Sequence, residues 1–372
     1  MKNKGIIIFA SILVICLVLM IFLLGKNDNN NSNNENIGFY NYSELFTARD
    51  LKQKADTSNA VTYTVKDNED ITISTAGVYV ITGSSSETTI YVEAGSEDKV
   101  QLVLDGLNIT NKNFPCIYVK SGDKVFVTTT NDSLLTVSET FVKDDNVNTN
   151  GVIFSRSDIV LNGEAKLTIN SSYNGIVSKD DLKITGGSYD ITAKNNGIRA
   201  NDSIAIAEAT LNINSGTDGL HAENSDDDKL GYIYIADGTI NINTTDDGIH
   251  ATSVVQINNG KINITAGEGI EGTYIQINGG DIDINATYDG INAANKSESF
   301  NTLFEMNDGT LKINVEEKDS DAIDSNGNIT INGGTIDISA TLSFDYVGEA
   351  KLNGGKLIIN GVEVSEIPSS SK

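Results

Sequence analysis

The sequence predicts an all-β protein that folds as a parallel β-helix, a solenoid with coils of about 21–22 residues, preceded by an N-terminal transmembrane or signal helix. Aliphatic and polar residues alternate at period two in segments such as "VQINNGKINITA" at 255–266 and "IQINGGDIDINA" at 275–286, as in half-buried strands. A single Asn-Gly turn would also suit an antiparallel hairpin. Recurrence at a fixed spacing favours stacked parallel coils instead, and the nine-residue period of a calcium-binding roll is absent.

The N-terminal segment is long and apolar enough to span a membrane. Residues 6–24 are apolar except for Ser11, and they follow Lys2 and Lys4. As a helix they would reach roughly 28 Å, and the lysines favour a cytoplasmic N-terminus with an exported remainder. We therefore predict a membrane anchor or signal segment at 1–25. An uncleaved anchor is favoured over a cleaved signal peptide, because the apolar stretch is long and does not end in small residues. The rest of the chain, anchored or secreted, is expected on the extracellular face of the cell membrane.

An Asn-rich linker is predicted at 26–57, since "KNDNNNSNNEN" cannot bury a core. Within it, residues 39–57 have the character of a short helix. The β-helix domain is predicted at 58–364 and a polar tail at 365–372. A solenoid needs covered ends, for which the segments 40–60 and 358–368 are the candidates.

The strand pattern also assigns the core. Ile275, Ile277 and Ile249 should point inward and His250 outward, because side chains alternate across a strand. Burial of stacked aliphatic side chains must supply most of the stability. A disulfide is not expected, since one of the two cysteines lies in the N-terminal apolar segment, so Cys116 is predicted to be a small buried residue.

One short motif, an acid or amide followed by a small and an aliphatic residue, recurs through the domain, as in "TDGLHA" at 217–222 and "DDGIHA" at 246–251. Its first residue falls at Asn150, Asn174, Asn196, Asp218, Asp247, Glu268, Asp289, Asp321 and Asp345. Successive differences are 24, 22, 22, 29, 21, 21, 32 and 24, and insertions near 224–231 and 295–309 explain the two longest. Stacked coils would superpose these residues in one column, here named the acid column, at about 4.8 Å spacing.

The charge of the chain bears on its partners. It has 51 acidic and 26 basic residues, a formal net charge of −25, which argues against binding nucleic acid. Two carboxylates about 4.8 Å apart repel by roughly 1 kcal/mol in water and by roughly 3–4 kcal/mol at an effective dielectric constant of about 20. Several oxygen ligands in line favour Ca²⁺ as the cofactor. Acidic turns that are solvated and screened by salt are the alternative. The acids concerned are the six of the column, from Asp218 to Asp345, joined by Asp246, Glu271, Asp319 and Asp324.

The outward position three residues after the column residue holds both histidines of the protein, His221 and His250, and Arg199 one coil earlier. We predict that the two histidines stack on neighbouring coils, where they would contact a ligand or pair with acids. Stacked surface histidines without a function are equally compatible with the sequence. A zinc site would need a third nitrogen or sulfur ligand, and none is apparent.

Aromatic residues are candidates for stacking on sugar rings, and the chain has no Trp. Tyr232 and Tyr234 in "GYIYIA" should face outward if the isoleucines between and after them face inward. Tyr274 and Tyr288 are expected on nearby coils. These four tyrosines are predicted to bind ligand, with exposed tyrosines selected for strand propensity as the alternative.

The acid column, the Gly-Gly turns and the export segment together resemble a known family. The "GG-x-[IY]-x-I" coils are similar to those of bacterial carbohydrate-binding-domain proteins that bind cellulose and acidic plant polysaccharides and share a fold with family-9 pectate lyases. The resemblance covers roughly residues 60–362. It implies a right-handed β-helix with bound calcium, a cell-surface location and a polysaccharide partner such as pectin or cellulose. The residues that match the family's acidic calcium motif, and are therefore the predicted calcium ligands, are Asp218, Asp246, Asp247, Glu268, Glu271, Asp289, Asp319, Asp321 and Asp324. A non-catalytic polysaccharide-binding protein is therefore the expected function.

Two other functions remain open. The lyases need a basic residue near calcium to remove a proton from the uronate. No lysine stands in the acid column, and Arg199 lies beside its amide part, so lyase activity is the less favoured alternative. Lys179, Lys261 and Lys296 are other candidates for the base, each also explained as a surface residue. A structural or adhesive surface solenoid with a protein partner is the third possibility.

Overall fold

The computed structural model describes residues 39–370. The predicted membrane anchor at 1–25 lies outside the described residues, as does the linker up to residue 38. Among residues 39–370, no helix is long and apolar enough to cross a membrane. The short helix predicted within 39–57 is confirmed as α1, Tyr42–Leu45.

From Tyr40 onward the chain forms a parallel β-helix with three sheets along its length. Sheet 1 contains β1 (Val61–Thr64), β3 (Gly77–Ser86), β5 (Lys99–Asn111), β7 (Lys124–Asn131), β10 (Asp158–Gly163), β13 (Asp181–Ile184), β16 (Ser203–Ile206), β19 (Tyr232–Ile235), β22 (Val254–Ile257), β25 (Tyr274–Ile277), β28 (Leu303–Met306), β31 (Asn328–Ile331) and β34 (Ala350–Leu352). Sheet 2 contains the second halves of β3 and β5 and then β8 (Ser133–Val137), β11 (Lys166–Ser171), β14 (Ser188–Ala193), β17 (Thr210–Ser215), β20 (Thr239–Asn243), β23 (Lys261–Ala266), β26 (Asp281–Ala286), β29 (Thr310–Val315), β32 (Thr335–Ser339), β35 (Lys356–Ile359) and β36 (Val362–Val364). Sheet 3 contains β2 (Ile71–Ile73), β4 (Ile90–Glu93), β6 (Ile117–Ser121), β9 (Gly151–Ser155), β12 (Asn174–Ser178), β15 (Ile198–Ala200), β18 (Leu220–Ala222), β21 (Asp247–Ala251), β24 (Glu268–Gly272), β27 (Ile291–Ala293), β30 (Asp321–Ser325) and β33 (Leu342–Tyr346).

The strand register reproduces the period that the sequence predicts. In sheet 3, Ile249 lies opposite Ile270, which lies opposite Ile291, at intervals of 21 residues. The interval grows to 29 between Leu220 and Ile249, where the first insertion leaves the coil. It is 29 between Tyr274 and Leu303, after the second insertion, and 32 between Ile291 and Ile323, because three more residues lie between β29 and β30. Both insertions lie at the corner between sheet 3 and sheet 1, so they lengthen the loops without disturbing the stack.

The core runs along the axis between the three sheets. Ile249, Ile275 and Ile277 are fully buried, as predicted, and so is Cys116. Complete burial of an aliphatic side chain of this size contributes about 2–3 kcal/mol. Each coil buries several such side chains, so apolar burial is the main favourable contribution to the stability of the solenoid.

Glycines set the corner between sheet 1 and sheet 2. Gly280, Gly309 and Gly334 have φ values of +96°, +91° and +77°, a conformation that side chains with a Cβ rarely adopt. A Cβ on any of them would also lie within 2.8 Å of backbone atoms of the preceding coil. These two constraints explain the repeated Gly-Gly and Asp-Gly pairs.

The N-terminal segment covers the outer face of sheet 1, so the predicted end cap at 40–60 is wrong for residues 40–53. The Tyr40 backbone exchanges two hydrogen bonds of 3.0 Å with the Gln256 side chain. At the other end, Gln53 donates to the carbonyl of Thr185 over 2.8 Å. The segment therefore runs along the solenoid, because apolar and amide side chains project from several coils of sheet 1.

A buried ion pair fastens the same segment. Asp50 is fully buried, and its carboxylate oxygens lie 3.7 Å from the Lys124 Nζ and 3.9 Å from the Lys183 Nζ. Lys183 also donates to the carbonyl of Leu45 over 2.6 Å. Removing one partner of such a group leaves a buried charge unpaired.

The C-terminal end is closed as predicted for 358–368. Strand β36 turns back and pairs antiparallel with β35, the last parallel strand of sheet 2. Val364 and Ile367 are partly buried against the core. This hairpin ends the ladder of parallel strands and shields the apolar interior from water.

Candidate functional site

The acid column lies at the corner where the chain passes from sheet 2 into sheet 3. The N–H of the glycine after each column residue donates to the carbonyl of the column residue one coil further. Gly219 donates in this way to Asp247, and Gly269 to Asp289. The predicted superposition is therefore confirmed from Asn174 to Asp321.

The prediction is wrong at both ends of the column. Gly151, rather than Asn150, lies opposite Asn174. Asp345 lies opposite Asp324, and Leu342 takes the place beside Asp321. The cause is the core, because the inward residues Ile153 and Phe344 must align with their neighbours and so fix the register of the terminal coils.

Backbone N–H groups satisfy part of the column. Asp218 Oδ1 accepts a hydrogen bond from the Asp247 N–H at 3.1 Å, and Asp289 Oδ1 accepts one from the Asp321 N–H at 2.8 Å. Asn174 accepts the Asn196 N–H in the same way at 3.1 Å. Hydrogen bonds to a carboxylate favour its charged form. The column is thus a ladder from Asn174 to Asp247, and again from Asp289 to Asp321, in which acids replace amides. These hydrogen bonds offset part of the repulsion between the acids without a cation.

Packing explains the glycine that follows each column residue from Asn174 to Asp289. A Cβ on Gly248 would lie 2.4 Å from Ile264 Cγ2 and 2.6 Å from the Gly269 carbonyl oxygen. The φ value of Gly248 is not positive, so the glycine here is explained by close packing and not by a left-handed backbone conformation. The acid-Gly-aliphatic motif brings the column close to the core.

The two histidines stack as predicted. His221 lies opposite His250 in sheet 3, with ring centroids 4.6 Å apart and the planes 14° from parallel. Each donates from Nδ1 to the column acid three residues before it. The distance is 2.6 Å from His221 to Asp218 and 2.5 Å from His250 to Asp247. The DG-[LI]-H motif therefore builds the same Asp–His pair in two successive coils.

Further charges extend both pairs. Glu271 Oε2 lies 2.9 Å from His250 Nδ1 and 2.9 Å from the Nζ of Lys296, which comes from the second insertion. Glu223 Oε2 lies 3.2 Å from His221 Nε2 and 3.0 Å from Arg199. The result is a half-buried charged cluster on sheet 3, formed by Arg199, Asp218, His221, Glu223, Asp247, His250, Glu271 and Lys296.

The pKa values of the cluster follow from this geometry. Burial disfavours the imidazolium, but the hydrogen bonds to Asp247 and Glu271 outweigh it and raise the pKa of His250 to about 9. Burial likewise acts to raise the pKa of Glu271, yet hydrogen bonds from His250 and Lys296 lower it to about 2. The pKa of Asp247 is raised, chiefly by burial. At neutral pH His250 is a cation held between carboxylates.

Two groups in the described residues have ligand atoms close enough to share a metal ion. Asp218, Asp246 and Asp247 form one, and Asp247, His250 and Glu271 form the other, with all ligand atoms of a group within 4.8 Å. The remaining predicted ligands, Glu268, Asp289, Asp319, Asp321 and Asp324, belong to neither group. Glu268 instead accepts a hydrogen bond from Asn292.

The tyrosines are placed differently from one another. Tyr234 leaves sheet 1 on its outer side but is fully buried, with the Phe46 ring 6.2 Å away, so the expectation of an exposed stacking face is wrong for it. Tyr232 stacks on Tyr40 at 4.0 Å. Both are covered by the N-terminal segment, which no local pattern links to them. The Tyr274 hydroxyl donates to Glu305 over 2.6 Å.

Only Tyr288 of the four is widely exposed, at 53%. Tyr173 is exposed at the same point of its coil, directly before Asn174, and sequence reasoning missed it. The likeness of "SSYNG" to "ATYDG" could have found it. Glu223 was also missed, because its contacts depend on where the first insertion begins.

The model of the carbohydrate-binding domain-containing protein family matches residues 67–273 and 267–365, which together include every coil of the acid column. The chain belongs to this family. A carbohydrate-binding domain-containing protein of Acetivibrio thermocellus is 35% identical over 219 residues, which are 58% of this chain and 76% of that relative. A solved structure titled as a polysaccharide lyase-like protein from C. thermocellum, a gadolinium derivative, shares 24% identity. It covers 79% of this chain and 98% of its own, with a TM-score of 0.45.

Proposed function

We propose that this protein is a non-catalytic polysaccharide-binding protein of the cell exterior whose β-helix holds calcium. The observation that carries the proposal is family membership across residues 67–365. A rigid solenoid offers a long surface on which a polymer can lie, and its stability comes from the core, so its outer side chains are free to serve binding.

Calcium fits one of the two possible metal groups. Asp218, Asp246 and Asp247 offer only carboxylate oxygens within 4.8 Å, the hard ligands that Ca²⁺ prefers. The other group fits calcium poorly, since it contains the nitrogen of His250, and Glu271 already pairs with Lys296. Bound at the aspartates, the ion would neutralise charge that the His221 and His250 pairs leave uncompensated.

Retention on polysaccharide tests the binding function. The full chain, purified in detergent, is applied to cellulose and to pectate with Ca²⁺ or with chelator. We expect retention on at least one of them. Failure of the folded protein to bind any member of a broad glycan array would contradict the proposal, and capture of a protein ligand instead would favour an adhesive solenoid.

A polysaccharide lyase is the second candidate, and one observation favours it. Burial and the neighbouring charge of Arg199 lower the pKa of Lys179, a property of a general base. Lyase action on pectate would release an unsaturated uronate that absorbs in the ultraviolet. Absence of that product with calcium present would remove this candidate, and its loss in Lys179→Met would assign the base.

The location is proposed from the apolar stretch at 6–24 alone. We expect the domain to be exported and held at the outer face of the membrane. Protease added to intact cells should then remove a tag placed after residue 372, and protection of the tag would contradict an exported domain.

A further inference from the structure

The three sheets present different outer faces. Sheet 1 is covered in part by residues 40–53, and sheet 3 carries the charged cluster. Sheet 2 has neither a covering segment among the described residues nor a charged cluster. Its middle, from β17 to β23, is therefore the part of the solenoid most open to a large neutral partner.

Two rows of side chains cross this middle part. In the inner row, Asn241 Nδ2 donates to Asn212 Oδ1 at 2.9 Å, and Asn263 Nδ2 donates to Asn241 Oδ1 at 2.8 Å. In the outer row, Asn243 Nδ2 donates to Asn214 Oδ1 at 3.3 Å. We name this pair of rows the amide face. No side chain of these two rows is charged, although the whole chain carries a net charge of −25. Charged side chains lie at their margin, with Lys261 exposed on β23 and Asp283 opposite Asn263 on the next coil.

The amide face keeps unused hydrogen-bonding capacity. A primary amide has two N–H donors and a carbonyl that can accept twice. Asn241 uses one N–H and one acceptor position in the row, and it makes no other side-chain hydrogen bond among residues 39–370. Every coil thus offers a donor and an acceptor to a ligand in the same orientation.

A second row of asparagines shows that unused amide donors and acceptors are not a general property of the fold. At the corner between sheets 1 and 2, Asn258 donates to the Tyr234 hydroxyl at 3.0 Å. Its Oδ1 accepts from Gln256 at 3.0 Å and from Asn278 at 2.8 Å. That corner row is satisfied by protein groups and serves the fold.

The amide face is also concave. The side chains of both rows and the edges of the buried isoleucines between them line a shallow trough of about 420 Å³. Its floor repeats every coil, about 4.8 Å, which is close to the length of one sugar unit in an extended β-1,4-linked chain. Successive units of such a chain are flipped relative to one another, so a polymer aligned with the solenoid axis would present the same edge to the rows at every second unit.

We propose that the amide face binds a neutral β-1,4-linked glycan lying parallel to the solenoid axis. The inference rests on the proposed polysaccharide-binding function and assigns its location to sheet 2 rather than to the acid column. Hydroxyl groups of the sugar would pair with the unused amide donors and acceptors. A neutral chain suits the uncharged rows, whereas a uronate polymer would meet the negative field of the protein with Lys261 as the one cation on β17, β20 and β23.

Affinity electrophoresis of the full chain in detergent, through gels containing hydroxyethylcellulose, tests this assignment. Asn241→Val and Asn243→Val remove amide groups while keeping strand propensity. Each should weaken retardation about fivefold to tenfold, as expected for one or two lost hydrogen bonds. Asn307→Val is the matched control, since Asn307 also donates one row hydrogen bond and accepts another, but in the corner row.

Each outcome decides the assignment. Retardation of Asn307→Val equal to that of the unmodified chain, with weakened retardation of both sheet 2 variants, supports it. Unchanged binding by Asn241→Val and Asn243→Val would overturn the amide face and leave the polysaccharide-binding function standing. Equal losses in all three variants would also overturn it, because the effect would then come from the stack. Binding to pectate alone refutes the neutral glycan, and binding to no glycan refutes the general function as well.

Discussion

Protonated His250, which lies between Asp247 and Glu271, stabilises the fold by an amount that its pKa defines. Its pKa rises from 6.5 to about 9, which corresponds to about 3 kcal/mol of favourable interaction with the imidazolium. Because the folded-state value lies above the unfolded one, this stability is complete below about pH 6.5 and is lost as the pH rises through about 9. The unmodified chain should therefore lose about 3 kcal/mol between these limits from this group.

The perturbation is His250→Asn, which keeps a hydrogen-bond donor but removes the charge. The favourable interaction of the imidazolium with Glu271 and Asp247 would then be lost, and Lys296, 2.9 Å from Glu271, would offset part of the loss. Repulsion between the two carboxylates does not add to the loss at pH 6, because burial raises the pKa of Asp247. We expect a stability loss of about 2–3 kcal/mol at pH 6 and a smaller loss at pH 9.5.

Thermal and urea unfolding from pH 5 to 10, in chelator so that metal does not mask the effect, measures both quantities. His221→Asn is the matched control. Its loss at pH 6 should be smaller, since the side chain of its second partner, Glu223, is 49% exposed whereas that of Glu271 is 12% exposed. A pH profile of His250→Asn parallel to that of the unmodified chain would refute the reasoning.

Three further predictions concern packing, metal and charge. Gly248→Ala should lower the unfolding free energy by about 2–3 kcal/mol, because its Cβ would lie 2.4 Å from Ile264 Cγ2. The control Gly95→Ala, whose Cβ would meet only a side-chain oxygen within 3.4 Å, should cost less than about 1 kcal/mol. Equal losses in the two variants would contradict a steric clash as the cause. Asp246→Asn should weaken Ca²⁺ binding about tenfold or more by titration calorimetry; unchanged calcium affinity would place the ion elsewhere. Burial and neighbouring carboxylates raise the pKa of Asp158 from 3.8 to about 6, so its ionisation destabilises the fold as the pH rises through this range. Asp158→Asn should then be about 1–2 kcal/mol more stable than the unmodified chain at pH 7 and no more stable at pH 4, and a loss of stability at pH 7 would show that its pairing with Lys124 dominates.

The structure supports a need for calcium at fewer acids than the sequence predicts. From the sequence alone, a line of six acids predicts cations along the whole column. The backbone N–H groups and the two histidines already compensate Asp218, Asp247 and Asp289. The case for an ion is therefore confined to the one cluster that includes the exposed Asp246, rather than extending along the whole column.

The sequence by itself determined the coil. Its period, the inward residues such as Ile249 and Ile275, the sites of both insertions and the stacking of His221 on His250 could all be predicted. The physical reason is that each coil of a solenoid contacts its neighbours through the same positions, so a spacing of 21–22 residues in the chain becomes a contact in space.

Only the tertiary structure decided what lies over the coils. Residues 40–53 bury Tyr234 and place Tyr40 on the ring of Tyr232. Tyr40 also contacts Gln256, 216 positions later in the chain, and no sequence repeat predicts that contact. Lys296 likewise reaches Glu271 from an insertion. Such contacts depend on side-chain reach and surface shape, which periodicity does not encode, and they determine which outer faces remain open to a ligand.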